Sequence, residues 1–150
     1  MTLRPFRLLT SLLLLCSCML AHAELYMVSR SDISGLTERV TERIYTGKQV
    51  EFNTRTIVPL NYVSEHPARQ KFLLAIVGKT ETEYSAYWAT RRYVGLGVPP
   101  EEVRDRNRML TLLGNRENTI GYIEATPEEA AELRRRFTVL LIRSGESRQP

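Results

Sequence analysis

Thr119-Ile120-Gly121-Tyr122-Ile123-Glu124-Ala125-Thr126-Pro127-Glu128-Glu129, running on to Val139-Leu140-Leu141-Ile142, decides the fold. The first five residues read as a strand, with Gly121 at a point where a side chain would not fit. Thr126, Pro127 and Glu129 then supply an N-cap, a proline at the first helical position and a glutamate at the third. Val139 to Ile142 is apolar without alternation, which suits a strand in a sheet covered on both faces. Strand, capped helix and buried strand in succession specify an α/β arrangement.

The same alternation extends upstream. Leu25 to Val28 reads as a buried strand, and Ser29 to Gly35 supplies turn chemistry. Leu36, Val40 and Ile44 recur every four residues on one helical face, which Gly47 ends. Thr56 to Leu60 reads as a second strand, with Pro59 placing it at an edge or ending it. Pro67 opens a helix with an apolar stripe of Ala68, Phe72, Leu73 and Ile76, ended by Gly78. Thr80 and Glu83 have capping-box spacing, so the next helix opens at Glu81 and turns Tyr84, Tyr87, Trp88 and Arg91 to one side. Gly95 to Pro100 breaks the chain, and a further helix is expected near Glu101. The expected architecture is a three-layer α/β sandwich over residues 24–142, its mixed, mostly parallel sheet flanked by helices.

The chain's beginning predicts export. Arg4 and Arg7 form a basic region, Leu8 to Leu15 an apolar core, and Ala21-His22-Ala23 an A-x-A cleavage site, so residues 1–23 read as a signal peptide. The alternative is a lipobox at Leu15-Cys16-Ser17-Cys18, with acylation at Cys18. Either reading places the mature chain in the periplasm, and the apolar run is too short to span a bilayer. Both cysteines lie in this segment, which excludes a disulfide framework. Residues 143–150 carry too little apolar content to pack and read as a disordered tail.

Charge excludes nucleic acid as a partner. The chain has 21 basic and 17 acidic side chains; without Arg4 and Arg7 the balance is 19 to 17. Arg104, Arg106 and Arg108 step by two and share no single helix face, and Arg134-Arg135-Arg136 points three ways. Enzymatic chemistry is equally poorly supplied. The mature chain lacks cysteine and, beyond the leader, has His66 as its histidine, which leaves no metal-ligand set and no triad. No catalytic residue, metal or cofactor is expected. Tyr87 and Trp88 read as core rather than as a stacking platform.

Five pieces in fixed order carry a resemblance: Leu36-Thr37 with Ile44-Tyr45-Thr46-Gly47-Lys48, Phe72, Tyr87-Trp88, Gly95-Leu96-Gly97-Val98-Pro99-Pro100, and Ile120-Gly121-Tyr122-Ile123. Together they resemble the second lobe of the periplasmic phosphate-binding family of ABC transporters, a type 2 periplasmic binding protein, from about Leu25 to Ile142. The resemblance implies a solute-binding-like protein whose ligand is phosphate or another oxyanion. It implies an ABC permease, a membrane sensor or a second copy as partner. In the family an Arg and a Ser-Gly-Thr run precede the Phe helix. Here that region is Tyr62 to Arg69, in which Ser64, His66 and Arg69 remain as candidates and Glu65 would repel a dianion. Ser29-Arg30-Ser31, after the first strand, is a second candidate oxyanion site. The alternative function is an envelope interaction module that has lost solute binding and docks a protein.

Overall fold

The computed structural model describes residues 22–30 and 33–142. The expected leader up to residue 21, Ser31 and the tail 143–150 lie outside them. Strands β1 (Glu24–Arg30), β4 (Val58–Tyr62), β5 (Glu101–Val103), β6 (Thr119–Ala125) and β7 (Phe137–Leu141) form one sheet in the order β5-β4-β6-β1-β7. Between β1 and β4 lie helix α1 (Glu38–Tyr45) and a small hairpin of β2 (Glu51–Phe52) and β3 (Arg55–Thr56). Its turn residues Asn53 and Thr54 both have positive φ, as a tight primed hairpin turn requires. Helix α2 (Pro67–Phe72), α3 (Glu81–Tyr93), α4 (Arg106–Asn115) and α5 (Pro127–Leu133) complete the chain.

Pairing is parallel between β4 and β5 and between β4 and β6, and antiparallel between β1 and both β6 and β7. Four strands therefore run one way and β1 runs against them, giving the expected mixed, mostly parallel sheet. Helices cover both faces of this sheet. The β4-to-β5 connection carries α2 and α3 over one face, where Phe72 stacks on Tyr122 with ring centroids 3.9 Å apart. The β5-to-β6 connection carries α4 over the other, where Met109 and Leu113 lie against Gly121. Tyr122 and Gly121 are neighbours on β6, so they face opposite layers.

Two expectations change. Pro59 sits inside a central strand rather than at an edge, because β5 begins only opposite Leu60. The side of β4 on which proline lacks its N–H is unpaired at that level, and the neighbouring Val58 N–H is bonded to the Asn118 carbonyl. Glu101 does not open a helix. Residues Glu101 to Val103 pair with Leu60 to Tyr62, and the helix starts three residues later behind Asp105, whose carboxylate accepts from the Arg108 amide at 2.8 Å. The Pro67 helix also departs from α geometry, finishing in a π-helical turn over Leu73–Val77 before Gly78 takes φ +66°.

Helix α3 finishes α1. The hydroxyls of Tyr84 and Tyr87 donate to the carbonyls of Tyr45 and Thr46, each at 2.7 Å, and Arg91 donates to the carbonyl of Gly47 at 2.9 Å. These are carbonyls that a helix C-terminus leaves without partners. Gly47 has φ +65°, and a Cβ there would stand 2.7 Å from the Trp88 ring. The Gly-Lys turn and the Tyr-Trp pair are thus two sides of one contact.

Both predicted capping boxes form, at Thr80–Glu83 and Thr126–Glu129. The Thr80 amide and hydroxyl hold the Glu83 carboxyl below its ordinary pKa of 4.5, and the Thr126 amide, helped by Arg106, does the same for Glu129. A depressed folded-state value means stability that is present above the unfolded value and lost as pH falls through the folded one. The melting temperature should fall on acidification from about pH 5 to about pH 3, and a Glu83→Gln/Glu129→Gln variant should fall less over that range. Equal slopes for the two proteins in a thermal melt series would contradict this.

Candidate functional site

The carboxyl ends of β4, β5 and β6 meet at one end of the sheet, the place where ligands of open α/β folds settle. The turn after β4 brings Ser64 and His66 there, and Pro67 starts α2. His66 stacks on Tyr62 at 3.8 Å, and its Nδ1 accepts the Ala68 amide at 3.2 Å. With Nδ1 accepting, the neutral ring carries its proton on Nε2, which has no hydrogen bond among the described residues. The Ser64 hydroxyl donates to the Glu65 carboxylate at 2.9 Å; the Glu65 backbone amide and this hydroxyl keep that exposed carboxyl ionised.

Arg69 is a different kind of group. Its side chain is 5% exposed, and nearly every donor is spent. Nε and Nη2 grip the two oxygens of Glu81, each at 2.7 Å, while Nη1 reaches the Tyr62 carbonyl at 2.6 Å and Glu102 at 2.5 Å. Burial alone would weaken its charge, but the bonds to Glu81 and then Glu102 outweigh that and raise its pKa further. One cation faces two carboxylates, so this corner carries no spare positive charge. It ties the end of β4, the start of α3 and strand β5 into a single joint.

The start of α2 has no amide to spare either. Pro67 has none, the Ala68 amide is capped by His66, and the Arg69 amide bonds to the His66 carbonyl at 3.0 Å. The residues at this helix start are local in the sequence but their partners are not, since Glu81 and Glu102 lie 12 and 33 positions from Arg69. Arg106, on the first turn of α4, carries no local signal that ties it to this rim. Arg106 pairs with Glu129 at 3.1 Å and acts on the Tyr62 phenol, although burial dominates there and pushes that phenol up to about 12. Ser64, His66 and Arg106 are half-buried polar groups of this rim, beside the exposed carboxylates of Glu65 and Glu102.

Ser29 and Arg30 are elsewhere. Because β1 runs against the other strands, its carboxyl end lies at their amino ends: Ser29 is level with Ile120, and Ile120 with Pro59. The two candidate groups are thus separated by most of the length of β4 and cannot share a small ligand. The Ser29 hydroxyl is buried and donates to the Ile33 carbonyl at 3.0 Å, closing the turn. An apolar groove of about 450 Å³ also lies near the amino end of β4, lined by Val50, Val58, Trp88 and Val98 among others; it contains none of the candidate site residues.

Beneath the rim is a buried aromatic and polar cluster. The Tyr122 hydroxyl donates to Asn61 and accepts the Tyr62 amide at 3.4 Å, while the Tyr45 hydroxyl donates to the Leu60 carbonyl at 2.8 Å. Burial raises the pKa of Tyr45 and Tyr122 well above that of free tyrosine, so both remain donors at neutral pH.

No protein-family model and no curated protein matches the sequence. Solved structures do. The domain is similar to an ABC-type phosphate transport receptor from Vibrio cholerae, with TM-score 0.53 and 17% identity over 69% of this chain and 41% of that one. It is similar to a putative phosphate ABC transporter substrate-binding protein with bound phosphate from Clostridium perfringens, with TM-score 0.56 and 19% identity over 81% and 55%. PstS from Borrelia burgdorferi matches with TM-score 0.58 and 16% identity over 87% and 50%. The fold is that of these receptors, and the chain spans about half of their length.

Proposed function

We propose that this protein is a periplasmic substrate-binding-like protein that takes phosphate or a related oxyanion on an open half-site and serves an ABC transporter. The observation that carries the reading is positional: in a domain with the fold of phosphate receptors, Ser64 and His66 stand at the strand carboxyl ends, before the Phe72 helix. The ligand groups would be the Ser64 hydroxyl, His66 Nε2–H and the Arg106 guanidinium, each hydrogen-bonding to anionic oxygen. Arg69 would act from below by fixing the rim. The role is binding without bond-making. Among the described residues no helix is long and apolar enough to cross a membrane.

One observation favours a second reading, an envelope interaction module that docks a protein such as a membrane sensor. Glu81 and Glu102 neutralise Arg69, and the first amides of α2 are occupied, so the rim is poorer in unpaired positive groups than an anion clamp needs. Calorimetry with phosphate and sulfate at low ionic strength separates the two. Millimolar or tighter binding, reduced in a Ser64→Ala/Arg106→Gln variant, supports the half-site. Absence of heat with both anions supports the docking module.

A further inference from the structure

The sheet has two edges, and they are built differently. Strand β5 is short, follows Pro99-Pro100 and turns Glu101 and Glu102 to solvent, the proline and charge that keep an edge from pairing. Strand β7, Phe-Thr-Val-Leu-Leu, is longer and has neither device within it. It leaves Leu140 and Leu141 36% and 39% exposed.

Register shows which backbone groups that edge presents. The Ile142 amide donates to the Leu25 carbonyl at 2.8 Å, and Tyr26 stands opposite Leu141. In an antiparallel pair, bonded and non-bonded rungs alternate, so Met27–Leu140 and Ser29–Thr138 are bonded rungs. Phe137, Val139 and Leu141 therefore point their N–H and C=O groups away from β1. Among the described residues no strand lies beyond them.

We propose that β7 is a homodimer interface, in which the strand pairs antiparallel with β7 of a second copy about a two-fold axis through Val139. The outward set is symmetric about that residue, so the axis maps it onto itself. Val139 bonds to Val139 of the second copy, and Phe137 to Leu141 of the second copy, each rung exchanging both N–H···O bonds. The same register sets the exposed Leu140 side chain across from Thr138 of the second copy. The two sheets become one continuous sheet, and the glutamates and prolines at β5 stop its growth there. The assembly closes at two copies instead of extending as a fibre. The partner is thus a second copy of this chain, recognised by strand addition. This interface is independent of the proposed half-site.

Proline at position 141 removes an outward N–H and leaves the β1 ladder intact, whereas proline at 140 removes an inward one. Sedimentation equilibrium of the purified protein should show a dimer in the micromolar range, weakened roughly tenfold or more by Leu141→Pro with the melting temperature largely kept. Leu140→Pro should instead lower the melting temperature. In hydrogen exchange, the Phe137, Val139 and Leu141 amides of the unmodified protein should be protected at high concentration and exchange faster on dilution. A protein that stays monomeric at submillimolar concentration overturns the proposal. So does a dimer whose three outward amides exchange freely, and this arm decides alone should Leu141→Pro fail to fold.

Discussion

Arg69→Met is expected to lower the unfolding free energy by about 2–4 kcal/mol. Removing one partner of a buried ion pair usually costs about 3–5 kcal/mol, because the other charge is left without compensation. Here the carboxylates are not equally trapped: the Glu81 side chain is 24% exposed and Glu102 50%, so water recovers part of the loss. The Tyr62 carbonyl also loses its donor at 2.6 Å, and an unsatisfied buried acceptor adds to the cost. Urea unfolding should show a lower midpoint at unchanged slope. Neutralising the carboxylates as well, with Glu81→Gln and Glu102→Gln, should return part of the stability. If Arg69→Met instead keeps its midpoint and loses the heat of phosphate binding, Arg69 is a ligand group and the account of the joint fails.

Gly121→Val should be comparably severe, at about 3 kcal/mol or more. A Cβ at this position would stand 2.5 Å from the Met109 sulfur and about 3.5 Å from the Leu113 methyl groups. Both side chains are wholly buried, so they can yield only by disturbing the packing of α4 on β6. Gly121→Ala, which adds the same first atom, is milder, near the lower end of the ~1–3 kcal/mol typical of overpacked cores. Met109→Ala leaves space where that methyl would go, so its combination with Gly121→Ala should be less damaging than the sum of the two. Additivity within about 0.5 kcal/mol in thermal unfolding would show that the two positions do not meet.

Legibility in the sequence tracked locality. Thr80–Glu83 and Thr126–Glu129 satisfy each other within one turn, and both caps form as read. Gly121 was legible as a place without room, although only the structure identifies Met109 as the obstacle. Glu101-Glu102 misled because acidic pairs favour helix starts, and here a parallel ladder to β4 outweighed that preference. The candidate site fared similarly. Counting back from Phe72 places Ser64 and His66 at the start of α2, but the state of Arg69 depends on two distant carboxylates. The placement of Ser29 and Arg30 depends on the direction of β1, which no local pattern encodes.

The three side chains by which α3 completes α1 have a mechanical consequence. Tyr84, Tyr87 and Arg91 lie on one stripe of a thirteen-residue helix and grip consecutive peptide groups, Tyr45 to Gly47. Neither helix can rotate or slip along its axis without stripping several of these bonds together. Any rearrangement that a bound anion or a docked protein imposes on this layer must carry the pair as one rigid lever, with its give confined to the connecting loops.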